Sequence, residues 1–120
     1  MESKRKSTLY SCSGCSNVAQ LANKIAVKLD REKMATMSCI AGLGGDVPSL
    51  VQQAKRAEHI LVIDGCPLQC ALHCLKRHGL IPDEHVILTE YHLNKNKHCD
   101  FGEDEYLRVY AEISKKIIQT

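Results

Sequence analysis

The sequence predicts a three-layer α/β fold in which a four-stranded, mainly parallel sheet has helices on both faces. Apolar residues alternate between short runs and helical spacing, and glycine, proline, serine or aspartate marks each change. Residues 59–63 form a nearly continuous aliphatic run, which is typical of a strand buried on both faces. Since 120 residues is the size of one domain, we expect a basic tail over residues 1–7 and a single domain over residues 8–120.

The first half of the chain contains two predicted strands, at residues 8–11 and 35–39. A helix between them is indicated by apolar residues that recur on one helical face, namely Val18, Leu21, Ala22, Ile25 and Leu29. The glycine-rich segment 42–46 is expected to break the chain before a short helix that begins at Pro48.

The third predicted strand, at residues 59–63, leads into a helix that we expect to begin at Pro67 and end at Gly79. Its apolar stripe is predicted to consist of Leu68, Ala71, Leu72 and Leu75.

A fourth strand is predicted at residues 85–88, followed by a long polar connection over residues 89–102. The final helix is predicted over residues 103–118, because its acidic first turn and its late lysines suit the helix dipole. With right-handed crossovers, the doubly wound strand order that fits these elements is 2-1-3-4.

Composition and charge exclude several classes of protein. Hydrophobic residues make up 44% and charged residues 25% of the chain, as in an ordinary globular domain. The net charge is only +2 and aromatic residues are 4%, so no nucleic acid partner is indicated. No apolar stretch has the length of a signal peptide or of a membrane span, and we therefore expect a cytoplasmic protein without membrane association.

The cysteines are the informative feature of the composition. Seven are present, an odd number in a chain without an export signal, so we expect thiols, metal ligands or redox groups rather than a disulfide framework. Five of them lie at or just after the ends of the first three predicted strands, at the carboxyl edge of the sheet, and these are Cys12, Cys15, Cys39, Cys66 and Cys70.

The carboxyl edge is where open α/β sheets bind ligands, and the order 2-1-3-4 makes the three cysteine-bearing loops neighbours. Because zinc binds thiolates at about 2.3 Å in a tetrahedral arrangement, we predict a Zn²⁺ site that uses four of these five cysteines. The spacing leaves open which four bind.

Other polar groups lie near this edge. Helix amino termini are expected to favour thiolates at the site, and Asp64 to accept amide hydrogen bonds there. Cys74, one turn further along its helix, is expected to pack as a small hydrophobic residue. His92, His98 and Cys99 follow the fourth strand, where they either form an ordinary loop or cover the site and supply an outer ligand.

An ordered set of short motifs resembles the DGC-domain family of zinc-binding proteins. The motifs are Cys12-Ser13-Gly14, Cys39-Ile40-Ala41-Gly42, Asp64-Gly65-Cys66-Pro67 with Cys70, and Leu88-Thr89. The resemblance spans residues 9–101 and implies a small zinc-binding domain without an established reaction. It implies Cys12, Cys39, Cys66 and Cys70 as the ligands, and Cys15 departs from the small residue that many members have at that position.

Three functions are compatible with the pattern. In the first, a closed four-thiolate zinc site has a structural, sensing or metal-transfer role. In the second, a Cys12 thiol of low pKa acts in a redox enzyme or thiol-based transferase, with Cys15 as the resolving thiol. In the third, the same cysteines bind an iron–sulfur cluster. The sequence indicates a metal ion as partner and does not identify a protein partner.

Overall fold

A computed structural model describes residues 7–118 and contains the predicted sheet. Its strands are β1 (Thr8–Ser11), β2 (Thr36–Met37), β3 (Ile60–Asp64) and β4 (Glu84–Ile87). The spatial order is β2-β1-β3-β4, and every neighbouring pair is parallel. The α/β class and the predicted strand order are therefore confirmed.

Helices cover both faces of this sheet. The helices are α1 (Asn17–Arg31), α2 (Ile40–Gly44), α3 (Pro48–Lys55), α4 (Cys70–Arg77), the 3-10 helix Leu88–Tyr91 and α5 (Glu103–Ile118). Helix α1 packs on β1, β2 and β3 and also contacts α5, whereas α4 packs on β3 and contacts α2. All five residues of β3 are buried, as expected for a central strand between two helical layers.

The apolar stripe predicted for α1 is buried in the core, which confirms the helix and its inward face. Ile113 of α5 is also fully buried, and Tyr106 is nearly so. The ammonium group of Lys24 lies 5.0 Å from the centre of the Tyr106 ring, which joins α1 to α5 at the surface.

The expected chain break at residues 42–46 is only partly present, because residues 42–44 belong to helix α2 and residues 45–47 separate it from α3. Leu43 is fully buried, so tertiary burial outweighs the low helix propensity of glycine. A Cβ atom on Gly44 would lie 3.0 Å from Cys74 Sγ, and the missing side chain thus lets α2 approach α4 closely. Cys74 is half-buried and packs against the core.

Helix α4 begins at Cys70 and not at the predicted Pro67. The reason is Gln69, whose left-handed backbone (φ 54°) interrupts any helical path from Pro67. Leu68 lies outside the helix and is 63% exposed, so it does not belong to the apolar stripe. At the other end, Gly79 has the predicted left-handed conformation, with φ 74°.

Two other boundaries differ from the sequence prediction. Strand β2 has only two residues, because residues 38 and 39 already turn toward α2. Strand β4 begins one residue earlier than predicted, and the 3-10 helix follows it directly.

The predicted basic tail lies outside the described residues except for Ser7. Its carbonyl accepts a hydrogen bond from Thr36 N (2.9 Å), and its hydroxyl bonds to the buried His59 Nδ1 (2.8 Å). Ser7 thus belongs to the folded domain. Within residues 7–118, no helix is long and apolar enough to cross a membrane.

We predict that Gly79→Ala lowers the free energy of unfolding by about 1–2 kcal/mol, because a Cβ atom disfavours the left-handed conformation. Nothing lies within 4 Å of the new Cβ, so backbone strain alone causes the loss. Urea denaturation measures it. The control is Gly14→Ala, whose φ is not positive and whose Cβ makes an ordinary 3.8 Å contact with Ala19. Equal losses in the two variants would contradict the assignment.

Candidate functional site

A cavity of about 190 Å³ opens at the carboxyl edge of the sheet, where β1 and β3 end side by side. Four of the candidate cysteines line it, namely Cys12, Cys15, Cys66 and Cys70. We call it the thiol cavity. The rest of its wall includes Asp64, Gly65 and two lysines, Lys95 and Lys97.

Cys12 lies directly after β1 and is only 9% exposed. Its backbone N–H donates to Ile63 O (3.0 Å), which continues the pairing of β1 with β3. Its sulfur accepts a hydrogen bond from Gly65 N (3.1 Å). Cys12 is therefore held from both its backbone and its side chain at the inner wall of the thiol cavity.

Cys15 lies in the exposed turn between β1 and α1. The next residue, Ser16, is the N-cap of α1, and its hydroxyl accepts a hydrogen bond from Ala19 N (3.1 Å). This cap fixes where the helix begins and so places Cys15 on the rim of the thiol cavity.

Cys66 and Cys70 belong to the loop and first helical turn after β3. Gln69 N donates to Cys66 O (3.0 Å), which closes the loop before α4 begins. Cys66 is half-buried and Cys70 is exposed. The predicted helix-turn relation between them is replaced by a loop, and both residues still line the same cavity.

The loop is held by the carboxylate of Asp64, which is 1% exposed. Its Oδ1 accepts a hydrogen bond from Ala71 N (2.8 Å) and its Oδ2 one from Leu72 N (3.2 Å). His85 Nε2 of β4 lies 2.8 Å from Oδ2. The prediction that Asp64 accepts amide hydrogen bonds at the start of this helix is confirmed.

Gly65 allows the loop to lie directly against α1. A Cβ atom at this position would be 2.7 Å from both the carbonyl carbon and the carbonyl oxygen of Val18. Backbone atoms cannot move aside as a flexible side chain can, so only glycine permits this contact.

Cys39 lies elsewhere, immediately before α2 and on a second cavity of about 360 Å³. This second cavity is also lined by Ser11, Ser38, Asp30 and Arg31. The structure thus brings together four of the five candidate cysteines. Metal binding by any of the five stays a prediction.

The donor chemistry of the thiol cavity fits zinc, because thiolate sulfur is a preferred zinc ligand. In the geometry of residues 7–118, no group of three or more His, Cys, Asp or Glu side chains is already arranged to hold a metal ion. Cys15 and Cys70 are exposed, whereas Cys12 is buried and Cys66 is half-buried.

Burial raises the pKa of the Cys12 thiol to about 11. The charge of Asp64 and the nearby thiols of Cys70 and Cys66 act in the same direction, and the hydrogen bond from Gly65 opposes them. The expectation of a Cys12 thiolate stabilised by the helix amino terminus is therefore wrong. At neutral pH, without metal, Cys12 is a neutral thiol.

Lys95 and Lys97 are the lining residues that the sequence analysis missed. Lys95 Nζ lies 3.4 Å from Cys66 Sγ, close enough to donate a hydrogen bond to the sulfur. Neither His92, His98 nor Cys99 is among the residues that line the thiol cavity. Two lysines in a polar connecting segment are a common surface pattern. Their spacing in the sequence therefore does not indicate that they line the cavity.

Comparison with known proteins identifies similar chains. A family model described as the DGC domain matches residues 8–113. The chain is 50% identical over 107 residues to a Pseudomonas aeruginosa protein named anaerobic and virulence modulator AnvM, which covers 89% of this chain and 82% of that protein. No solved structure matches the chain significantly.

We predict that Asp64→Ala lowers the free energy of unfolding by about 2–4 kcal/mol, because it leaves two amides and the imidazole of His85 without their acceptor. Thermal and urea unfolding measure the loss. Asp100→Ala, which removes an exposed carboxylate, is the control and is expected to change stability by less than about 0.5 kcal/mol. A loss below about 1 kcal/mol in Asp64→Ala would contradict the role of this carboxylate.

We also predict that the metal-free protein loses stability between about pH 9 and pH 11. The folded state raises the pKa of Cys12 from 9.0 to about 11, so it retains a proton that the unfolded chain releases. The contribution of Cys12 to the free energy of unfolding is therefore fully present below pH 9, and it falls by about 2–3 kcal/mol as the pH rises to 11.

Urea denaturation at several pH values in the presence of a chelator tests this. Cys12→Ala is expected to reduce the alkaline slope, and Cys99→Ala, which removes an exposed cysteine, to leave it unchanged. An identical slope in the wild type and in Cys12→Ala would contradict the assignment.

Proposed function

The chain belongs to the DGC-domain family, as its motifs predict, and we propose that it is a metal-binding module that holds Zn²⁺ through cysteine thiolates at the carboxyl edge of the sheet. The observation that carries the proposal is that Cys12, Cys15, Cys66 and Cys70 line one cavity. Four thiol donors from two neighbouring loops match the number and type of ligands that a structural zinc site uses.

Zinc binding is also compatible with a Cys12 thiol that is protonated in the metal-free protein. A bound Zn²⁺ ion favours the thiolate and displaces the proton, which offsets the burial that keeps Cys12 neutral without metal. Binding therefore releases protons and strengthens as pH rises through the neutral range. The resemblance implies Cys39 in place of Cys15, and we favour Cys15 because it shares the thiol cavity.

We infer a modulatory rather than a catalytic role. Four thiolates close the coordination sphere of zinc and leave no position at which water is activated. The relative from Pseudomonas aeruginosa is named an anaerobic and virulence modulator, and a regulatory protein that binds metal is consistent with that name. Unpaired thiols suit a reducing compartment, so we propose that the protein acts in the cytoplasm.

The thiol redox alternative is disfavoured by the raised pKa of Cys12, since the attacking group in such enzymes is a thiolate. An iron–sulfur cluster is also bound by cysteine thiolates, so metal analysis and visible absorption are used to distinguish it from zinc.

Metal analysis of the full chain, prepared anaerobically, tests the proposal. We expect one zinc ion per chain and four sulfur neighbours in X-ray absorption. Cys66→Ser and Cys15→Ser are each expected to lower zinc affinity by at least about tenfold, because each removes a ligand. Cys39→Ser and Cys99→Ser are matched controls that are expected to retain zinc.

Three outcomes would contradict parts of this assignment. Full zinc retention in Cys66→Ser would exclude the thiol cavity. Loss of zinc in Cys39→Ser together with retention in Cys15→Ser would show that Cys39, and not Cys15, is the fourth ligand. A brown preparation with visible charge-transfer bands would change the metal from zinc to an iron–sulfur cluster.

A further inference from the structure

Residues 93–97 form a strap along the thiol cavity. The strap lies between two residues with left-handed backbones, His92 (φ 60°) and His98 (φ 64°). At its end, Lys97 pairs with Ser16 in an isolated antiparallel bridge. The strap is therefore attached to the start of α1, next to the loop that carries Cys15.

Asn17 clamps the strap in place. This side chain is 6% exposed although it is polar. Its Nδ2 donates to Asn94 O (2.9 Å), and its Oδ1 accepts from Asn96 N (2.7 Å). Its backbone N–H donates to Asn96 O (3.0 Å). Three hydrogen bonds from one buried residue to two alternate strap residues fix both the position and the orientation of the strap.

The clamped strap carries two lysines that line the thiol cavity. Asn94 and Asn96 bond to Asn17, and the intervening and following residues, Lys95 and Lys97, line the thiol cavity. Lys95 Nζ lies within 3.4 Å of Cys66 Sγ. Two cationic side chains thus lie over the same wall as the four cysteines.

We propose that the strap is a cationic cover, positioned by Asn17, in which Lys95 and Lys97 balance the negative charge of the metal–thiolate site. Four thiolates around Zn²⁺ carry a net charge of about −2, which two ammonium groups match. Part of this charge would lie on the buried Cys12 and the half-buried Cys66, where it is costly unless nearby groups compensate it. This inference rests on the proposed function, and its subject is the affinity for the ion rather than the identity of the ligands.

Zinc affinity of the full chain, measured by competition with a chromogenic chelator, tests the cover. Lys95→Gln/Lys97→Gln is expected to weaken zinc binding by about 10- to 100-fold, the usual effect of removing groups that support metal ligands. The loss is expected to shrink in high salt, because added ions screen the lost charges. X-ray absorption is expected to show the same sulfur neighbours as in the wild type, since neither lysine is a ligand.

The control is Lys55→Gln/Lys115→Gln, which removes the same charge from exposed positions on α3 and α5. It is expected to change zinc affinity by less than about twofold, because distant exposed charges are screened. Equal affinity in the wild type and in the Lys95/Lys97 variant overturns the cover and leaves the proposed function intact. Absence of zinc from the wild type overturns both.

A double-mutant cycle tests the role of Asn17 as a positioning residue. Asn17→Ala is expected to speed amide exchange at Asn96 and to weaken zinc binding in the wild type. In the Lys95→Gln/Lys97→Gln background it is expected to cause little further loss, because the strap no longer carries the charges. Additive losses would show that Asn17 supports only the fold, and circular dichroism checks that each variant is folded.

Discussion

The buried carboxylate of Asp64 is the interaction on which the arrangement of the site depends. It ends β3, accepts hydrogen bonds from the first amides of α4, and pairs with His85 of β4. A carboxylate buried to this degree is stable only when its oxygens have partners, so these elements must meet at one place. The loop with Cys66 runs between two fixed points, which are the end of β3 and the start of α4. The carboxylate thus fixes the far end of the loop that carries Cys66.

Much of the fold could be predicted because local signals agreed with the tertiary structure. The aliphatic run of β3 indicated a strand covered on both faces, and the strand order is the commonest doubly wound order that fits these elements. The errors came where tertiary contacts outweighed local preference. Burial of Leu43 makes a helix of a glycine-rich segment, and the left-handed Gln69 delays the start of α4 beyond its proline signal.

The candidate site was predictable to the level of a sheet edge and no finer. Parallel strands bring their following loops to one edge, which is why the cysteines could be grouped from sequence. The cavity that each sulfur enters depends on the path of its loop, and this separates Cys39 from Cys12 although both follow neighbouring strands. The lysines of the strap were missed for a similar reason, since hydrogen bonds between Asn17 and residues almost eighty positions away place them.

The contact between Gly65 and the backbone of Val18 has a consequence for how such a pocket diversifies. Main chain rests on main chain there, and neither residue of the contact is a cysteine. Replacing individual cysteines in a related protein therefore leaves this junction unchanged. The set of donor atoms can vary while the loop after β3 keeps its contact with α1.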